Sequence, residues 1–153
     1  MPVYKQTMQP YAPEQMFELV SDIKRYPEFI RWIKALRVQD PRQIDGVHHC
    51  TGEAIVAFKG FTHTFATDVI ANQEEGAVSV SLAKGPLKRL ENQWIFRAQD
   101  GGTQVSVTVE YEFSNFILQA LARANHDYAV ERVMTVFLDE ASRRYGGKST
   151  SKA

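Results

Sequence analysis

The longest sustained apolar stripe in the chain lies at 125–145. At 100° per residue, Val130, Val133, Met134, Phe137, Leu138, Ala141 and Tyr145 fall on one side, and Arg132, Thr135, Asp139, Ser142 and Arg143 fall opposite. This pattern predicts one helix with one greasy face. Asp139 to Arg143 and Glu140 to Arg144 are i,i+4 acid-before-base pairs that support it, and Gly146-Gly147 marks its end. A helix reaching back to Phe116 would run about 45 Å, longer than the roughly 35 to 40 Å expected across a domain of this size. Asn125 therefore reads as an N-cap, which leaves 116–124 as a separate short apolar helix.

The rest of the chain reads as the sheet that such a helix needs. Val3–Gln9 alternates weakly and is ended by Pro10. Pro13 at a first helical position, with Met16, Phe17, Leu19, Val20 and Ile23 at helical spacing, predicts a short helix that stops before Pro27. The aromatic and basic segment 26–36 leads into a strand at 33–39, and 41–46 is a turn. From Val47 the period changes to two. Strands at 47–58 and 61–71, joined by Lys59-Gly60, form a tight hairpin in which Phe58 faces Phe61, Val56 faces His63 and Ala54 faces Phe65. Opposite the large residues of the second strand stand Cys50, Gly52, Ala54 and Val56 before Phe58, and the run of three small ones either interdigitates or leaves room. Further strands follow at 77–83, at 90–97 with Trp94 and Phe96 on one face, and at 103–113 with Val105, Val107, Val109, Tyr111 and Phe113 inward.

The expected order is strand, short helix, about six meandering strands, short helix, long helix. Consecutive strands have no helical crossover between them, so the fold class is α+β. A curved antiparallel sheet of about six to seven strands should wrap the long helix, in a single domain at 1–147 with a disordered polar tail at 148–153.

Composition narrows function mainly by exclusion. Eighteen basic residues balance eighteen acidic ones among 153, so nucleic acid or anionic membrane would have to use a local patch. A single Cys50 rules out an internal disulfide framework. No charged leader with an apolar run and no 18-residue apolar stretch is present, which leads us to expect a soluble cytoplasmic protein.

The motifs PEQMFELVSDIKRYPEF at 13–29, VAFKGF at 56–61, GPLKRLENQWIF at 85–96 and VEYEFSN at 109–115, followed by the long helix, resemble the helix-grip superfamily of START-like and polyketide-cyclase-like proteins. More narrowly, they resemble its coenzyme Q-binding family, whose bacterial members are also described as ribosome association toxins. Arg31, Trp32 and Ile33 replace the Pro-Trp-Cys run usual after YPEF, and Asn92 stands where the family often has Gly. The resemblance implies non-catalytic binding of a long isoprenoid quinone, ubiquinone above all, between sheet and helix, in support of respiratory electron transfer or quinone delivery. It implies no cofactor beyond that ligand, and it makes the large ribosomal subunit an alternative partner.

Four candidate chemistries follow. An inward aromatic set, Phe58, Phe61, Phe65, Trp94, Phe96, Tyr111 and Phe113 with Val133 and Phe137, either fills a core or lines a ligand cavity. His63 and Tyr111 are the inward groups able to meet a quinone oxygen, although His63 reads first as a satisfied core or rim histidine. Metal binding is disfavoured, since His48 and Cys50 share one strand face while His49 takes the other. No nucleophile motif or phosphate loop marks an enzyme, and Glu53 and Asp68, imaginable as an acid/base pair, point outward by register; the aromatase and cyclase relatives that the resemblance brings keep a polyketide cyclase-type enzyme as a third reading. The last candidate is a surface for a membrane or ribosomal RNA, with Arg31, Trp32 and Lys34 in one cluster and Lys84, Leu87, Lys88 and Arg89 in another.

Overall fold

Strand β1 (Val3–Gln9) leads through Pro10 into helix α1 (Pro13–Ser21). The computed structural model describes residues 3–58, 61–85, 87–114, 119–120 and 126–146. Pro13 takes the first turn of α1, and the Gln15 side chain accepts the Ala12 backbone N–H at 2.9 Å, doing the work of a missing cap hydroxyl. A 3₁₀ turn at Ile23–Arg25 and a one-turn helix α2 (Tyr26–Phe29) follow. Pro27 sits in the first turn of α2, where its missing N–H costs nothing.

The six remaining strands are β2 (Ile33–Ile44), β3 (Val47–Phe58), β4 (Phe61–Asn72), β5 (Ala77–Lys84), β6 (Leu87–Gln99) and β7 (Gly102–Phe113). They form one seven-stranded antiparallel sheet in the order β1-β7-β6-β5-β4-β3-β2, so the chain meanders and only β1 crosses to join the last strand. The hairpin register is the expected one, with Phe58 opposite Phe61, Val56 opposite His63 and Ala54 opposite Phe65.

β2 departs from expectation. It continues through Pro41 to Ile44, and the turn at 41–46 contracts to Asp45 and Gly46, both at positive φ (52° and 81°). Pro41 is tolerated because β2 is an edge strand and its pairing with β3 slips between Gln39 and Arg42, with Asp40 at φ 52°.

The long helix α3 (His126–Ala141) ends in a wide π turn at Ser142–Gly146. The expected cap Asn125 lies outside the described residues, as do most of the short helix at 116–124 and the tail at 148–153. Met134, Phe137 and Ala141 are buried on the inner face of α3. Phe137 fixes the crossing, its ring lying 4.9 Å from Trp94, 5.2 Å from Tyr26 and 5.5 Å from Phe29. Two positions on the helix depart from the stripe: Val133 is 36% exposed, and Glu140 is only 4% exposed. Arg143 bonds Glu140 rather than Asp139.

The C-terminal end of α3 is tied to α1. The Tyr145 hydroxyl lies 3.1 Å from the Gln15 carbonyl and 3.2 Å from Glu18 Oε1, and its ring packs 5.9 Å from Tyr11. The buried Thr103 hydroxyl donates to the Tyr11 carbonyl at 2.6 Å. No described helix is long and apolar enough to cross a membrane.

Candidate functional site

Antiparallel partners share a face, so the register defines the concave surface completely. One end of it is filled. Thr103, Val105 and Val107 of β7, Trp94 and Phe96 of β6, Val78 of β5, and Val69 and Ala71 of β4 are all buried beneath α1 and α3. The same strands run on to a second end where burial falls off: Val109, Tyr111 and Phe113, Leu90 and Asn92, Val80 and Leu82, and Phe65 and His63 are only half-buried. Leu87 is the exception, at 8% exposure. The sheet is thus a packed core at one end and a partly accessible apolar trough at the other.

The candidate ligand residues divide along that line. Trp94, Phe96 and Phe137 belong to the packed core. His63, Phe65, Tyr111 and Phe113 line the trough, and Val133 lies on an exposed part of α3. Phe58 and Phe61 pair at the hairpin end of the same face, and their side chains lie outside the described residues. The small-residue run does not leave room throughout: a methyl group on Gly52 would meet Ile23 Cδ1 at 2.7 Å, so the 3₁₀ turn before α2 already occupies that space.

Polar groups also lie along the trough. Asn92 accepts the Trp94 indole N–H at 2.8 Å and donates to the Thr108 carbonyl at 3.1 Å, while Thr67 donates to the Gly52 carbonyl at 3.4 Å. Both are committed to structure. His63 and Tyr111 bring a ring nitrogen and a hydroxyl to the same surface, and His63 Nε2 is shielded from solvent. Burial pushes the Tyr111 phenol above its ordinary pKa, which keeps it a neutral donor at physiological pH. Burial likewise raises the Cys50 thiol and leaves it protonated.

Glu53 and Asp68 lie on the convex side, where Glu53 meets Arg37 at 2.9 Å and Asp68 accepts from Thr51 at 3.2 Å. Among the described residues no three His, Cys, Asp or Glu side chains converge.

The basic clusters are more neutralised than their composition suggests. Lys88 and Arg89 reach Glu112 (4.0 Å) and Glu110 (3.3 Å) across the β6–β7 pair, and Arg25 and Arg42 meet Glu28 and Asp40. Leu87, expected at the surface, is buried because it pairs with Phe113 ahead of the β6 bulge. Lys84, Arg31 and Lys34 stay exposed, and Trp32 is half-buried with the Arg132 guanidinium 5.4 Å above its ring.

Two depressions are visible elsewhere. One of about 180 Å³ lies between α1 and the β4–β5 turn, lined by Phe17, Glu74 and Phe96 among others. A larger groove of about 400 Å³ lies between α3 and the α2–β2 connection. Neither is lined by His63 or Tyr111. The arginine and carboxylate arrangement around Glu140, behind the larger groove, was legible only as an i,i+4 pair, because its burial depends on what packs against it.

The family model for polyketide cyclase / dehydrase and lipid transport matches residues 9–137. The chain is 30% identical to the ribosome association toxin RatA of Vibrio cholerae, over 89% of this chain and 92% of that protein. It is 23% identical to the mitochondrial coenzyme Q-binding protein coq10 of Schizosaccharomyces pombe, over 88% and 82%. An 18 kDa protein of Caulobacter crescentus, solved in solution, superposes with a TM-score of 0.79 at 34% identity, covering 95% of this chain and 99% of that one.

Proposed function

This chain belongs to the polyketide cyclase / dehydrase and lipid transport family, and from that premise we propose that it binds a polyisoprenoid quinone of the ubiquinone type without transforming it. The observation that carries the reading is the contrast between the two ends of the concave sheet. Apolar surface left accessible costs about 25 cal/mol per Å². A trough edged by Phe65, Tyr111, Phe113, Leu82 and Leu90 is therefore stabilised by whatever apolar molecule covers it. A quinone suits it because the ring carbonyls need donors in such surroundings, and the neutral Tyr111 hydroxyl and His63 are of the right type. The similarity to a protein named for coenzyme Q binding supports the same class of ligand. Glu53 and Asp68, the pair considered for acid and base, stand on the opposite face, which favours binding over chemistry.

A ligand of this kind resides in membranes, so delivery requires peripheral contact from the cytoplasmic side, with exposed Lys84 and its neighbours Lys88 and Arg89 the surface that meets lipid phosphates. The test is mass spectrometry of an organic extract of the protein purified from its native host without detergent. A near-stoichiometric quinone is expected. An empty extract from a protein that also refuses added quinone overturns the reading.

A second reading is association with the large ribosomal subunit, favoured by the 30% identity to a protein named for that property. Exposed Arg31, Lys34 and Lys84 would then meet RNA phosphates. Salt-sensitive co-sedimentation with the subunit, lost on reversing those charges, is the result that favours it.

A further inference from the structure

We propose that the groove between α3 and the α2–β2 connection is a binding site for a phosphate-ester anion, held by Arg31, Arg132 and Arg143. The site is independent of whatever occupies the trough, with which it shares no lining residue.

Charge is the first argument. Among the described residues, three guanidinium side chains line the groove against two carboxylates, Asp139 and Glu140. Glu140 is already saturated: it accepts from Arg143 Nε at 2.9 Å and Nη2 at 2.5 Å, and from Arg144 Nε at 2.6 Å. One buried carboxylate therefore serves two guanidinium ions. Arg144 is itself only 9% exposed, its Nη1 and Nη2 have no hydrogen-bond partner among the described residues, and it lies 5.5 Å from the ring of Phe29, which forms part of the groove wall. Four guanidinium groups, Arg31, Arg132, Arg143 and Arg144, thus stand at or behind the groove wall against two carboxylates among the described residues, and that positive excess attracts an anion.

Shape is the second argument. The space of about 400 Å³ is large enough for an organic phosphate and not merely an inorganic ion. Phe29, Trp32 and Val136 give it an apolar floor for the organic part. Arg132 is pre-positioned by resting on Trp32, and planar guanidinium forks match phosphate oxygens bidentately. A phosphate monoester or diester satisfies both the charge and the floor. Such a group could come from a soluble phosphate ester or from a lipid headgroup, and the same experiment separates these sources.

The full chain is titrated with pyrophosphate, and separately with phosphatidylcholine vesicles containing phosphatidic acid, while amide and indole resonances are followed. Saturable shifts confined to Trp32 and the 132–143 stretch are expected. The exposed pair Arg31→Ala and Arg132→Gln should weaken binding about tenfold or more, the loss expected for charge-assisted hydrogen bonds. Lys24→Ala, an exposed cation outside the groove, should change nothing. Arg31→Ala alone serves if the double variant melts early. Pyrophosphate binding without arginine-dependent vesicle binding identifies a soluble ester. Vesicle binding that needs the arginines and is competed by pyrophosphate identifies a headgroup. No saturable response to either probe, or an equal loss in Lys24→Ala, overturns the proposal.

Discussion

The indole N–H of Trp94 donates to Asn92 Oδ1 at 2.8 Å, two residues earlier on the same inward face of β6. Trp94 is 3% exposed and belongs to the packed end of the sheet, whereas Asn92 is the first half-buried position of the trough. Asn92 therefore marks the border between core and trough, and it gives the buried indole the partner that glycine at this position could not. Asn92→Ala should cost about 1 to 3 kcal/mol, the penalty for leaving a buried donor unmade. Chemical denaturation measures it, and a loss under a few tenths would show that the indole finds another acceptor.

The buried carboxylate of Glu140 gives the fold an acid limit. Bonding to Arg143 lowers its pKa most, and the Arg144 bond lowers it further against an opposing desolvation penalty. Because the folded value lies below the unfolded one of about 4.3, this stability is fully present above the unfolded value and disappears as pH falls through the folded one. Glu140→Gln should lose on the order of 3 kcal/mol at neutral pH. The gap to the parent should shrink as pH drops below about 4, as thermal melts across pH would show.

Where β7 begins, the backbone tolerates no side chain at all. A Cβ on Gly102 would lie 2.0 Å from the Gln9 carbonyl oxygen, and backbone cannot yield as a side-chain tip can. Gly102→Ala should destabilise by about 3 kcal/mol. Hydrogen exchange should locate the damage at the β1–β7 pair, and protection unchanged there would refute the clash.

If the trough holds a quinone, its handles separate from its walls. Tyr111→Phe removes a hydroxyl and keeps the ring, and should reduce quinone affinity by up to about tenfold. Trp94→Ala, in contrast, should cost about 3 to 5 kcal/mol of stability before any ligand is added. Fluorescence titration and melting curves together distinguish the two. Equal affinity in Tyr111→Phe would remove Tyr111 from the site.

Reversing Lys84, Lys88 and Arg89 to Glu should abolish binding to anionic vesicles, and should also lower stability slightly because Lys88 and Arg89 then oppose Glu112 and Glu110. Vesicle flotation reads the first effect. Undiminished flotation would assign membrane contact to another surface.

Much of this molecule is legible in its residues. Periodicity yields all seven strands, the 58/61 hairpin register and the greasy face of α3, because alternation and helical spacing are local properties of the chain. Extension of β2 through Pro41 was not legible, since proline reads as a breaker until the strand is known to be at an edge with a bulge. The candidate ligand residues were legible as one inward set but not as two. Trp94 and Phe137 look no different from Tyr111 and Phe113 in an alternating pattern, yet the first two are covered by α1 and α3 while the latter two stay partly open. Spacing by itself therefore determined which face the strand side chains take, but on α3 it misplaced Val133, which is exposed, and Glu140, which is buried. Tertiary structure alone decided how deeply each is covered, that Ile23 fills the gap at Gly52, and that Glu140 is buried between two arginines, because burial depends on elements far apart in the chain and no local pattern encodes their distance.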